Sequence, residues 1–206
     1  KIASLDIVGA YTNTDRQSLV DSGELPPVHM RISPKLADVF IKLDPQYQPF
    51  RHTDGCIYVA IKRALYGLIE SALLWYNNIT SELAKLGYTR SKLDQCVFYH
   101  TINHSTICLH VDDMFITYRQ DADLDRLVNH MEQTYRGVTL QTGPTIEFLS
   151  MTFHVLPDGK IRVEQSRHVE EKILRKYKIE GTAPDPAADN LFKDDKATSP
   201  YPNPKH

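Results

Sequence analysis

Apolar and polar positions mark out short elements along the whole chain. Residues 2–8 are apolar except for Ser4 and Asp6, and they read as a strand that leads into Gly9-Ala10-Tyr11. Residues 12–27 are polar and stop at Pro26-Pro27. Val28 to Ile32 alternates as a short strand, and Pro34 opens a helix whose apolar face is Leu36, Ala37, Phe40 and Ile41. After a proline-bearing loop from Asp44 to Gly55, Ile57 to Ile61 predicts another strand. The strongest helix runs from Glu70 to Leu86, where Ala72, Trp75, Tyr76, Ile79, Leu83 and Leu86 recur at three- and four-residue steps. Gly87 ends it as a C′ glycine would. Trp75 and Tyr76 are therefore expected in the core.

Downstream, Val97 to His100 and Thr106 to Tyr118 predict three strands, the last two meeting in a tight turn at Asp112-Asp113. Leu124, Leu127, Val128 and Met131 place a second long helix over 122–135, closed by Gly137. Ile146 to Val155 and Lys160 to Glu164 predict a hairpin across Leu156-Pro-Asp-Gly159. Ser166 caps a third long helix that runs to Tyr177. From Glu180 on, Pro, Asp, Ala and Lys replace the apolar residues, so an extended or disordered linker is expected over 180–206, after a domain over 1–179. Helices separated by antiparallel strands predict an α+β fold with helices packed on one face of the sheet. The chain starts with Lys1 and enters a strand at once, which predicts a segment cut from a longer polypeptide.

Composition changes this picture little. A chain of 206 residues, 41% hydrophobic and 24% charged, can bury a sizeable core. The net charge of −2 advertises no global attraction for nucleic acid. Cys56, Cys96 and Cys108 lack metal-ligand spacing and suit a reduced interior. No apolar run reaches membrane-crossing length, so no membrane partner is expected.

Asp112 and Asp113 carry the candidate chemistry. Adjacent carboxylates repel and are costly to bury without a partner, and a divalent cation would satisfy both. A plain polar turn explains the same pair through the turn preference of Asp. Asp6, also set in an apolar strand, would join them if the two strands were neighbours. Three hard oxygen donors would then suit Mg²⁺.

An ordered set of short motifs is more specific. Leu5-Asp-Ile-Val-Gly-Ala-Tyr11, Ala64-Leu-Tyr-Gly-Leu68, Glu70-Ser71 with Leu74-Trp-Tyr76, and Leu86-Gly-Tyr88 come first. Asp94-Gln-Cys-Val-Phe98, His110-Val-Asp-Asp113, Phe148-Leu-Ser-Met151 and Gly159-Lys-Ile161 follow, with Thr182-Ala-Pro184 and Asn190-Leu-Phe192 in the tail. In that order they resemble the reverse transcriptase of Ty1/copia-type LTR retrotransposons over residues 1–192. The resemblance implies a right-hand polymerase palm with incomplete fingers and part of a thumb or connection. It implies RNA-directed DNA polymerase activity by two-metal nucleotidyl transfer, with Asp6, Asp112 and Asp113 holding Mg²⁺ or Mn²⁺. Tyr11 would lie under the incoming sugar, or else pack beneath the sheet. Tyr66 and Gly67 would border the nucleotide pocket, and His110, Ser150 and Met151 would contact the primer.

Partners implied by the resemblance are an RNA or DNA template with its primer, deoxynucleoside triphosphates, and the other polyprotein domains: fingers segment, RNase H and integrase. The implied location is a cytoplasmic virus-like particle or the nucleus. Two residues depart from the family pattern: His110 stands where Tyr is usual, and Ser150 where Gly is usual. The resemblance implies a fingers segment ahead of residue 1, outside this sequence. These departures support an alternative, a non-catalytic retroelement fragment that keeps the palm fold.

Overall fold

The computed structural model describes residues 1–178 and 181. In chain order the elements are β1 (Ile2–Ile7), α1 (Gln17–Asp21), β2 (His29–Ile32), α2 (Pro34–Leu43), β3 (Ile57–Ala60), α3 (Ser71–Lys85), β4 (Thr89–Arg90), β5 (Val97–Tyr99) and β6 (Thr106–His110). Then come β7 (Asp113–Thr117), α4 (Asp121–Thr134), β8 (Val138–Thr142), β9 (Thr145–Phe148), β10 (Met151–Val155) and β11 (Ile161–Glu164). The chain divides into two compact units, Lys1–Glu164 and Gln165–His206. Within the second unit, 166–177 is helical as expected, with one π-helical stretch at Val169–Leu174. The linker expected over 180–206 lies outside the described residues, apart from Gly181.

The first unit is a mixed helix-and-sheet body built on a six-stranded sheet of order β4-β5-β6-β7-β1-β8, whose pairings are all antiparallel. Alternation sorts its two faces. Ala3, Leu5 and Ile7 of β1, Ile107 and Leu109 of β6, and Met114 and Ile116 of β7 point into one core. There they meet Trp75, Ile79 and Leu83 of α3 and Leu124, Leu127 and Met131 of α4. Each Leu, Ile and Met among them contributes about 1.5–3 kcal/mol by leaving water. The C-terminus of α3 closes as a Schellman motif, with Tyr88 N–H bonded to Leu83 C=O at 3.1 Å and Gly87 N–H to Ala84 C=O at 3.0 Å. Gly87 has φ +92°, and a Cβ there would come within 2.9 Å of the His100 ring, so only glycine fits.

The opposite face of the sheet carries the intervening residues Ser4, Asp6, Asp113, Phe115 and Thr117. A second sheet, β11-β10-β9, leans on part of it through Phe115, whose ring centroid lies 5.6 Å from that of Phe148 and 4.6 Å from that of Phe153. A third sheet, β2-β3, stands apart with α2 around the small core of Ile32, Ala37 and Ile57.

Four features depart from the sequence reading. First, β8 is a full strand beside β1, hidden in the sequence because Val138-Thr-Leu-Gln-Thr142 lies at a sheet edge and is mostly exposed. Second, Gly137 does not close α4. The helix stops at Tyr135, which is extended at φ −116°. Gly137 instead lets the chain pass close to Val8, whose Cβ would lie 3.4 Å from a Cβ at this position.

Third, the apolar run 146–155 is two strands rather than one. Phe148 pairs with Met151 across a two-residue turn, and Leu149 and Ser150 both have positive φ, +49° and +64°. That is the backbone of a type I′ hairpin without its usual Asn-Gly. Fourth, the polar stretch 12–27 contains a fully buried cation, Arg16, at 0% exposure. Its Nε donates to Glu70 Oε1 at 2.8 Å and its Nη2 to the Pro26 carbonyl at 2.7 Å.

Candidate active site

The site begins with register. β1 and β7 are neighbours, and Asp6 pairs directly with Asp113. On the same face the row continues to His110 of β6 and Thr139 of β8, which pair with Asp113 and Asp6 respectively. Directly opposed residues have Cβ atoms only about 4.5–5.5 Å apart, so two carboxylates are forced together.

Electrostatics record the crowding. The Asp6 carboxyl titrates above its ordinary value because of partial burial, the charges of Asp112 and Asp113, and a hydrogen bond with Asp113. Asp113 is raised too, by partial burial and the Asp112 charge, while the Asp6 hydrogen bond and nearby His110 act the other way. Among the described residues none of Asp6, Asp112 and Asp113 enters an ion pair.

Asp112 belongs to the two-residue turn Val111-Asp112 between β6 and β7. Its carbonyl accepts the Ile7 N–H at 3.1 Å, which binds the turn to the end of β1. Val111 has φ +56°, a conformation that a β-branched residue adopts only under constraint. Left-handed backbone costs about 1–2 kcal/mol for an L-residue. One bond from inside the core is of the size needed to offset that: Trp75 Nε1–H donates to the Val111 carbonyl at 2.6 Å. A buried hydrogen bond contributes about 0.5–1.5 kcal/mol net.

Tyr11 and Tyr66 adjoin the carboxylates. Their ring centroids are 4.4 Å apart at a 42° tilt. The Tyr66 phenol titrates above its usual value through desolvation, then the charges of Asp112, Tyr11 and Asp6. Gly67 has φ +100°, with open space where a Cβ would be. The segment carrying them is held at both ends: Ser71 Oγ donates to the Leu65 carbonyl at 2.7 Å, and Arg16 grips Glu70. Ser150 and Met151 belong to the β9-β10 hairpin, and no bond joins them to the carboxylates among the described residues. Sequence reasoning missed Trp75 as a site residue, because its apolar spacing signals only core. It missed Arg16 as well, because a lone Arg in a polar stretch signals a surface.

Asp6 and Asp113 are crowded carboxylates that both titrate high and enter no ion pair among the described residues, and such hard oxygens are donors of the kind Mg²⁺ or Mn²⁺ takes. No group of three His, Cys, Asp or Glu side chains is gathered for ligation among the described residues.

A family model described as reverse transcriptase (RNA-dependent DNA polymerase) matches residues 35–187. The chain belongs to the reverse transcriptase family.

Its relatives among transposons specify the branch as Ty1/copia-type. The transposon Ty1-MR1 Gag-Pol polyprotein of Saccharomyces cerevisiae is 28% identical over 148 residues, 71% of this chain and 7% of the relative. A putative transposon Ty5-1 protein of the same yeast is 23% identical over 134 residues, 64% of this chain and 42% of the relative. This reverse transcriptase chain thus spans less than half of either relative's length. Among solved structures, apo telomerase from Candida tropicalis, truncated from its C-terminal domain, aligns with TM-score 0.44 and 9% identity. The alignment covers 79% of this chain and 35% of that one. Asp6 and Tyr11 lie upstream of the family match. No helix among the described residues is long and apolar enough to cross a membrane.

Proposed function

We propose that this chain is the palm of an RNA-directed DNA polymerase encoded by a retrotransposon, with Asp6, Asp112 and Asp113 as its catalytic carboxylates. The observation that carries the reading is the direct pairing of Asp6 with Asp113 beside a strained turn that holds Asp112. A bound Mg²⁺ or Mn²⁺ would activate a primer 3′-hydroxyl and neutralise charge on a nucleoside triphosphate. The chain's own residues hold that charge in place: Asp6 and Asp113 as oxygen donors, and Asp112 as a further negative charge at the sheet edge.

Tyr11, backed by Tyr66, is proposed to underlie the incoming sugar, where a flat ring disfavours a ribose 2′-hydroxyl. Gly67 permits close approach of backbone to the nucleotide. His110, exposed at the end of β6, and Ser150 and Met151 of the β9-β10 hairpin are proposed to contact the primer. Partners on this reading are an RNA or DNA template with its primer, deoxynucleoside triphosphates and the remaining polyprotein domains. The palm body is proposed to occupy 1–179, ahead of a linker over 180–206.

The test is primer extension on an RNA template with Mg²⁺, comparing the natural chain with Asp112→Asn. Incorporation untouched by that change removes the site assignment. A second reading is a palm fold without turnover, favoured by the lack of a three-ligand cluster among the described residues. Extension that appears only when an upstream fingers segment is supplied in trans supports it.

A further inference from the structure

The Val111-Asp112 turn bears the strain of the site, yet little surrounds it. Val111 is 41% exposed, and behind the turn a cavity of about 240 Å³ opens between α3 and the end of β6. Tyr11, Ala72, Trp75, Tyr76, His110 and Val111 line it. A turn with left-handed Val111 and room to move would relax into that space unless something tied it down.

Two ties exist. One is the Ile7 N–H bond to the Asp112 carbonyl, an extension of the β1-β7 ladder. The other crosses from the core: Trp75 Nε1 to the Val111 carbonyl, 2.6 Å. Trp75 is itself fixed, being 2% exposed and packed edge-on against Tyr135 at 5.3 Å. The Tyr135 hydroxyl in turn donates to Asn78 Oδ1, one turn along α3, at 2.8 Å. Core packing alone does not require an indole nitrogen here, because an apolar ring would fill the same volume. The donor is used on the turn.

We propose that Trp75 is a positioning residue of the active site. Its indole N–H holds Val111 in the left-handed conformation that sets Asp112 and Asp113 against Asp6. This deepens the polymerase reading and rests on it for the chemistry, but the geometric claim concerns the carboxylates alone. A carboxylate displaced by about 1 Å loses cation affinity and, in a working enzyme, as much as a hundredfold in turnover.

Trp75 is the single tryptophan of the chain. Replacing tryptophan throughout by 3-benzothienylalanine therefore changes this residue only. The bicyclic shape is kept, and sulfur takes the place of the N–H. Mn²⁺ binding is measured by electron paramagnetic resonance, and kcat and KM by primer extension, with and without Val111→Gly. Glycine adopts φ near +56° without strain, so the turn no longer needs its tie.

The expected result of the replacement is an Mn²⁺ affinity about fivefold or more weaker and a kcat about tenfold lower, with nucleotide KM within about twofold. Val111→Gly in the same background recovers most of both. Unchanged Mn²⁺ affinity on loss of the donor overturns the proposal. So does a loss that Val111→Gly does not repair, since that marks Trp75 as packing only. A natural chain that binds no Mn²⁺ overturns this proposal and the polymerase reading together. Donor-dependent Mn²⁺ binding without any primer extension upholds the positioning role and removes the polymerase reading.

Discussion

Asp6 and Asp113 face each other across one antiparallel strand pair, close enough to share a hydrogen bond. Strand pairing of this kind holds both groups in a geometry that their charges oppose. Both titrate above the ordinary Asp value, so the folded chain binds protons there more tightly than the unfolded chain. Stability from this source is present at acid pH and declines as pH rises from the ordinary Asp value through the raised ones.

Asp6→Asn is therefore expected to raise the melting temperature at neutral pH by a few degrees, since about 1 kcal/mol shifts a domain of this size by 2–4 °C. The advantage should shrink as pH falls through the raised value of Asp6 toward about 4, below which the carboxyl is neutral in the folded and the unfolded chain alike. Thermal scans from acid to neutral pH check both sign and window.

Mg²⁺ should supply the missing counter-charge. Millimolar Mg²⁺ at neutral pH is expected to raise the melting temperature of the natural chain, because a ligand that binds only the folded state stabilises it. Asp113→Asn should abolish the rise. An equal response in both chains would place the ion elsewhere.

Arg16 tests the support beneath Tyr66 and Gly67. Its guanidinium is fully buried against Glu70 and the Pro26 carbonyl. Arg16→Ala leaves Glu70 without its cation, and Glu70→Ala leaves a buried charge bare. The second should cost more, about 3 kcal/mol or above. Chemical denaturation of the two variants ranks them.

Ser150→Gly should stabilise the β9-β10 hairpin. The left-handed conformation at Ser150, φ +64°, costs about 1–2 kcal/mol, whereas glycine costs about 0.5–1 kcal/mol in entropy. The difference favours glycine by about 0.5 kcal/mol, and Leu149→Asn added to it should extend the gain. A lower denaturation midpoint in the double variant would show that this turn is not of type I′ in solution.

Periodicity decided what was legible. The apolar faces of α3 and α4 and the β6-β7 hairpin stood in the sequence, since burial on one face imposes its spacing locally. The turn itself falls at Val111-Asp112, one residue before the expected Asp112-Asp113. The ordered motifs likewise marked the family and proposed Asp6 as a partner.

Contacts between distant segments left no such trace. Nothing in residues 2–8 states that β1 lies between β7 and β8, because strand order follows from how long-range hydrogen bonds and the α3-α4 layer close together. The edge strand β8 was silent because an exposed edge needs little apolar side chain. Arg16 looked solvent-facing because its partner Glu70 is far along the chain. Trp75 looked like core and is core; that its N–H also reaches the Val111 carbonyl was decided only when α3 settled against the sheet. The sequence by itself determined which residues are candidates for the chemistry. Tertiary packing alone decided that Asp6 meets Asp113, and that the turn beside them is held under strain.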